Sequence, residues 1–166
     1  MKILLLSSHH NRNAFDCGKA ELNEFLRFRA SQYTRQDVGR TYVAVATDED
    51  SFILGYYTVA VSSVPFENIP ANLPRHPVPV LHLGRLATDI SAQGQGVGKA
   101  LLFHALRLAT QMSNMAGLYA VEVVALDDEA QRFYEKYGFT TLSAIPPPGE
   151  RVHLYLPLKQ VRKLGL

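Results

Sequence analysis

Apolar and polar positions along the chain alternate between helical and strand spacing. Leu22, Phe25 and Leu26 recur at helical intervals behind the turn-forming stretch Asp16 to Gly18, which predicts a first helix over 19–32. Before it, Met1 to Leu6 reads as a first strand; its apolar stretch, Ile3 to Leu6, is shorter than the roughly 7–15 residues of a secretory core. Thr41 to Thr47 and Phe52 to Ser62 are β-branched and aromatic, and the polar turn Asp48 to Ser51 joins them as an antiparallel hairpin. Five of the nine prolines fall between Val64 and Pro79, which predicts a loop with one short helical turn. Val80 to Thr88 reads as the next strand. A long helix extends to about Asn114, with Leu101, Ala105, Leu108 and Met112 on one face and Leu102, Leu106 and Ala109 widening it. Leu118 to Ala125 is a buried-looking strand. Asp127 to Tyr137 is a short helix capped by Asp127 or Asp128 and ended by Gly138. Phe139 to Ile145 and Val152 to Leu158 read as the last strands, joined through Pro146 to Gly149, and the basic end from Lys159 onward is expected to fray. The order β-α-β-β-β-α-β-α-β-β predicts a mixed α/β or α+β fold around one sheet.

At 166 residues the chain is expected to form one domain over 1–166, with a core that needs no covalent staples. With 17 Lys+Arg against 15 Asp+Glu the net charge is +2, which excludes a strongly basic nucleic-acid coat and leaves room for a local basic patch. The single cysteine, Cys17, cannot form an internal disulfide or a Cys-rich zinc site and reads as a small buried residue. No apolar run approaches the roughly 20 residues that span a bilayer. The expectation is a soluble, cytoplasmic protein with no membrane partner. His9 and His10 belong to no metal-like constellation, so no metal is expected.

The chemistry lies in Gln93-Gly94-Gln95-Gly96-Val97-Gly98-Lys99, between a strand and the long helix. Alternate glycines let a ligand approach the backbone, and unpaired N–H groups at the helix start favour an anion such as a diphosphate. The spacing is neither that of a P-loop nor that of a dinucleotide fingerprint.

Gln93-x-x-Gly96-x-Gly98 in this setting resembles the acyl-CoA pyrophosphate loop of the GNAT N-acetyltransferases. A second signature follows about 30 residues later: Asp127-Asp128-Glu129-Ala130-x-x-Phe133-Tyr134-x-x-Tyr137-Gly138-Phe139. Many GNATs carry Asn where this chain has Asp127-Asp128. The segments Phe15-Asp16-Cys17-Gly18, Gly55-Tyr56-Tyr57-Thr58, Leu73-Pro74-Arg75-x-Pro77-Val78-Pro79 and Leu83-Gly84-Arg85-Leu86-Ala87 narrow the resemblance to the GNAT toxins of toxin–antitoxin pairs. It implies a single mixed, mostly antiparallel sheet with flanking helices, and acetyl transfer from acetyl-CoA to the α-amino group of aminoacyl-tRNA. It also implies a ribbon-helix-helix antitoxin as partner, and a homodimer.

By the same resemblance, Leu86, Ala87 and Thr88 pair with the pantetheine arm, with an N–H near Leu86 or Ala87 polarising the thioester carbonyl. Gln93, Gly94, Gln95, Gly96, Val97, Gly98 and Lys99 hold the diphosphate. Tyr134 is the expected general acid, since a phenol of pKa about 10 is protonated at neutral pH. No general base stands out; His82 is an alternative to none, set against the reading of a satisfied structural histidine. Arg27, Arg29, Arg35, Arg75 and Arg85 are candidates for tRNA phosphates, against the reading of a solvated charged face balanced by Glu21, Glu24 and Asp37. Two other functions stay open. One is a GNAT acetyltransferase for a small-molecule or peptide amine. The other is an acyl-CoA-binding module without catalysis.

Overall fold

A computed structural model describes residues 1–142 and 150–166. The elements are β1 (Lys2–Leu5), α1 (Ala20–Glu24), α2 (Ala30–Arg35), β2 (Arg40–Val45), β3 (Gly55–Val64), β4 (Val78–Thr88), α3 (Val97–Ser113), β5 (Ala120–Ala125), α4 (Asp128–Lys136), β6 (Thr140–Thr141), β7 (Val152–Pro157) and α5 (Leu158–Arg162). One seven-stranded sheet has the order β1-β2-β3-β4-β5-β7-β6. The β1–β2, β2–β3, β5–β7 and β6–β7 pairs are antiparallel, and β4–β5 is parallel. The expected mixed sheet with flanking helices is therefore present.

The chain forms two compact units, Met1–Ala60 with Gly84–Ala105, and Val61–Leu83 with Leu106–Leu166. The core of the first gathers Phe15, Phe25, Leu26, Val43, Val45, Ile53 and Tyr56. In it the Tyr56 hydroxyl donates to the Leu22 carbonyl at 2.6 Å, which satisfies a polar tip inside an apolar cluster. The second unit has a core of Ile69, Val78, Val80, Ala120, Leu142 and Tyr155.

Several predicted boundaries move. The first helix is interrupted: a π-helical turn, Phe25–Arg29, separates α1 from α2, and the Ala30 N–H reaches back five residues to the Phe25 carbonyl. The turn buries Phe25 and Leu26 together and leaves Phe28 73% exposed. β4 begins at Val78, so it takes in Pro79, whose carbonyl accepts from the Tyr119 N–H at 2.9 Å. Proline lacks only the donor, so it is tolerated where the strand uses its acceptor. The proline-rich loop contains the expected helical turn, at Phe66–Asn68. In α3 the fully buried stripe is Leu101, Leu102, Ala105, Leu106 and Ala109, one step round from the face expected to be central. The basic end does not fray at once, because Leu158 and Val161 bury one face of α5. Of the strand expected over Phe139 to Ile145, Thr140–Thr141 forms β6; the remainder from Ser143, with the Pro146–Gly149 connection, lies outside the described residues.

Candidate active site

In the first unit, β4 ends at Thr88 and a short 3₁₀ turn, Ile90–Ala92, leads into the glycine loop. Gly94 and Gly96 have φ of +77° and +83°, and a Cβ built on either meets nothing within 4 Å. The glycines are thus required by backbone conformation, and the space beside them is open. The loop is exposed from Gln93 to Gly96, while Val97 turns inward at 5% exposure and starts α3. Gly98 and Lys99 sit in the first turn of that 17-residue helix. There the first N–H groups point out of the helix and the positive end of its dipole is concentrated. Lys99 lays its ammonium 5.4 Å from the centre of the Phe103 ring.

Side chains brace the loop from below. Gln93 Nε2 donates to the carbonyls of Cys17 (3.2 Å) and Thr88 (3.1 Å), and Gln95 Nε2 donates to Ser91 (3.2 Å). Asp89 is 3% exposed and accepts from the Ser91 N–H, the Ser91 hydroxyl and the Asp16 N–H. Burial opposes its charge, but those bonds outweigh burial and hold its carboxyl below the ordinary range. Asp16 in turn accepts from the Gly18 N–H at 2.8 Å and from Asn23 Nδ2 at 2.9 Å. The segment around Cys17 is therefore a bracket for the loop 73 residues further on. Sequence reading missed Asp89 and Asn23 as parts of it. The only signal available was an acidic residue directly after a strand.

Leu86 and Thr88 are half-buried and Ala87 is buried. The Ala87 carbonyl lies close to Gly55 of β3: a Cβ there would stand 2.8 Å from that oxygen, 2.9 Å from Leu101 Cδ1 and 3.0 Å from Val97 Cγ1. Glycine at 55 thus lets β3, β4 and the start of α3 meet. Arg85 stacks its guanidinium 3.6 Å over the Phe25 ring, with Tyr33 at 5.8 Å. Arg27 is also committed inward, its Nη2 donating to the Asn13 and Phe15 carbonyls at 3.5 and 3.4 Å. Arg29 and Arg35 are exposed.

In the second unit, Asp127 caps α4 by accepting from the Ala130 N–H at 2.9 Å. An aspartate performs this as well as asparagine does. The cap starts a helix that places Tyr134 inward, 4% exposed, against Phe133 and Phe139 at ring distances of 5.3 and 5.6 Å. Burial pushes its phenol well above the ordinary value, so it carries its proton throughout the neutral range. Arg75 is exposed beside a hollow of about 470 Å³, lined also by Phe66, Glu67 and His76. On β4 and β5, His82 and Glu122 are register partners, and Glu122 is 4% exposed. One carboxylate oxygen takes His82 Nδ1 and the other takes His153 Nδ1, the latter at 2.5 Å. Burial works against the charge of Glu122, but the hydrogen bonds and charges of the two rings hold its carboxyl below the usual range. Among the described residues, no group of three or more His, Cys, Asp or Glu is arranged to hold a metal ion.

These shifts give stability a sign with pH. His10 is 6% exposed, and its Nδ1 accepts from the Ser7 N–H at 3.0 Å, a bond that needs the neutral ring. Burial, then His9 and Arg12, lowers it from 6.5. Its folded value is below its unfolded one, so the unfolded chain binds more protons and stability falls as pH drops below about 6.5. Glu122, Asp89 and Asp16 are lowered from 4.5, 3.8 and 3.8, and remove further stability below those values. Urea midpoints are expected to fall between pH 7 and 5.5 and again by pH 4. A midpoint constant over that range would contradict this account.

Comparison with known proteins decides the family. A family model for an acetyltransferase (GNAT) domain matches residues 39–141. The chain belongs to the GNAT acetyltransferase family. A tRNA-acetylating toxin of Mycobacterium tuberculosis is 35% identical to it, covering 96% of this chain and 93% of the relative. The acetyltransferase fold also superposes on the solved complex of AtaT with acetyl-methionyl-tRNAfMet, at 31% identity, TM-score 0.86 and 99% of both chains. A tyrosine-to-phenylalanine mutant of the AtaT toxin, bound to the C-terminus of the antitoxin AtaR and acetyl-CoA, matches at 31% identity and TM-score 0.80, covering 99% of this chain and 97% of that one. No helix among the described residues of the acetyltransferase is long and apolar enough to cross a membrane.

Proposed function

We propose that this acetyltransferase moves the acetyl group of acetyl-CoA to the α-amino group of aminoacyl-tRNA, as the toxin of a toxin–antitoxin pair whose partner is a ribbon-helix-helix antitoxin. The observation that carries this reading is near-full-length likeness to a protein named for that activity. The substrates imply the cytoplasm as its place of action.

In this reading the N–H groups at the mouth of α3, from Val97 to Lys99, grip the coenzyme's diphosphate. Gly94 and Gly96 admit it because nothing stands beside their Cα atoms. The side-chain amides of Gln93 and Gln95 brace the loop by donating to carbonyls of neighbouring segments. Leu86, Ala87 and Thr88 offer backbone groups to the pantetheine arm, as an added strand would be received. An N–H near Leu86 or Ala87 polarises the thioester carbonyl for attack. Tyr134 gives its proton to the departing thiolate. Arg29, Arg35 and Arg75, which point to solvent, meet tRNA phosphates, while Arg27 and Arg85 shape the surface from within.

The test is transfer of radiolabelled acetyl from acetyl-CoA to total charged tRNA, polyamines and peptides in parallel. Label on charged tRNA alone is expected. Label on polyamines or peptides alone would move the enzyme to a small-molecule or peptide acceptor, and CoA binding with no transfer would leave a binding module. Three neutralised phosphates predict a log–log salt slope of about −2 to −3, so KM for charged tRNA should rise about 20–40-fold between 50 and 200 mM salt. A flat response would remove the phosphate contacts.

A further inference from the structure

Among the described residues of the second unit, one carboxylate buried between strands is not explained by packing. Glu122 stands in a run of apolar strand residues, Ala120–Ala125, yet is charged and 4% exposed. An ionised carboxylate only accepts hydrogen bonds, so both Nδ1 atoms that meet it must carry hydrogen. That fixes the tautomer of both rings. In its neutral form each ring then has its lone pair on Nε2, the atom turned away from the carboxylate. Neither ring is sealed: the side chains of His82 and His153 are 31% and 51% exposed. A buried carboxylate orienting a solvent-accessible imidazole by its Nδ1–H is the arrangement that makes a histidine a directed proton acceptor.

We propose that His82 is the general base of the transfer reaction, with Glu122 and His153 as its positioning residues. His82 is chosen over His153 because it stands on β4, the strand that also carries Leu86, Ala87 and Thr88. This rests on the acetyl-transfer reading above and names the group that it lacked. An α-amine has a pKa of about 8, so at neutral pH most of the acceptor arrives as ammonium and cannot attack. His82 stands four residues before Leu86 on β4, about 13 Å along the strand, so its Nε2 takes one proton from that ammonium through a short chain of waters. The neutral nitrogen attacks the thioester carbon, the C–N bond forms and the C–S bond breaks. Tyr134 protonates the thiolate, and the second proton of the nitrogen restores the phenol. The net proton of the reaction is left on His82 and passes to water. Glu122 offsets the charge His82 gains, and His153 keeps Glu122 from swinging away. The other titratable groups on neighbouring elements are Tyr155, opposite Glu122 on β7, Tyr119 beside β5, and Glu67 in the loop whose Phe66 and Ile69 pack near Val80.

The test is His82→Asn, whose side-chain amide can replace the Nδ1–H donor to Glu122 while supplying no base. A variant that can use only the neutral amine should fall behind the wild type by about tenfold at pH 7 and draw level near pH 9, as the neutral fraction of an amine with pKa about 8 dictates. A merely structural role would depress kcat/KM equally at every pH. In a second measurement, His82→Ala should regain activity at pH 7 on addition of imidazole, in proportion to its free-base concentration. Parallel pH profiles for His82→Asn and wild type, or no recovery with imidazole, would overturn the assignment. The wild type is assayed first on charged tRNA. If it transfers only to another amine, the acceptor reading fails, and the same comparison on that amine still decides the role of His82. If it transfers to none, both fall.

Discussion

Replacing Tyr134 with phenylalanine is expected to lower kcat by about 10²–10⁴, the usual worth of a positioned proton donor. That corresponds to roughly 3–5 kcal/mol of barrier. The effect should appear in kcat and leave acetyl-CoA affinity nearly unchanged, because the coenzyme's diphosphate is assigned to the start of α3 and not to this phenol. The ring that packs against Phe133 and Phe139 is retained in the variant, so the fold should be retained as well. Burial sets the limits of the role. It raises the phenol above its ordinary value, so Tyr134 is always loaded with its proton and contributes no alkaline limb to the rate profile below about pH 10. The thiolate it serves has a reference pKa near 8.5 and is a tolerable leaving group unaided, which favours the lower half of the expected range. Steady-state rates at saturating acetyl-CoA and charged tRNA check this. An unchanged kcat in a variant with native circular dichroism would remove Tyr134 from the chemistry.

Substituting alanine for Gly55 is expected to damage the fold and the coenzyme loop together. The added methyl would lie 2.8 Å from the Ala87 carbonyl oxygen, closer than real Cβ contacts come, and 2.9–3.0 Å from the tips of Leu101 and Val97. The two side-chain tips can shift. The carbonyl belongs to β4, so relief there means moving a strand. Overpacking of this kind costs roughly 1–3 kcal/mol, and a backbone obstacle puts it at the upper end. In a chain of this size that lowers Tm by about 5–10 °C. Because Ala87 is assigned to receive the pantetheine arm and Val97 opens α3, KM for acetyl-CoA should rise beyond what the lost stability accounts for. Calorimetry and acetyl-CoA titration of the same preparation test both parts. A variant with unchanged Tm and KM would show that β3 and β4 have slack between them.

Much of the fold is legible in the chain because its signals are local. A glycine cluster before a long amphipathic stretch fixes the loop and α3, and Asp127 three residues before Ala130 fixes the cap of α4. The hairpin of β2 and β3 follows from β-branched runs around an acidic turn, and its antiparallel register is observed. What escaped was set by partners far apart in sequence. Glu122 lies in an apolar run, and its partners His82 and His153 are 40 and 31 residues away, so no window contains the group. The bracket from Asp89 to Asp16 spans 73 residues. Arg27 and Arg85 look like surface cations from composition; a ring and two carbonyls draw them in. The α5 helix was hidden by its charges, since Lys159, Arg162 and Lys163 obscure two apolar positions three apart, Leu158 and Val161.

The widened turn at Phe25–Arg29 also bears on how this chain is compared with its kin. A bond from Ala30 back to Phe25 accommodates one residue more than an unbroken α-helix would hold in the same rise. Each residue of an α-helix advances the azimuth by about 100°, so the surplus residue reorients every side chain from Ala30 to Arg35 relative to those before it. A homologue with a regular helix here can be aligned correctly only with a single-position gap inside the turn. Without that gap, Tyr33, whose ring meets Phe25 edge-on at 5.1 Å, would be matched to a solvent position, and six consecutive residues would be assigned the wrong counterparts.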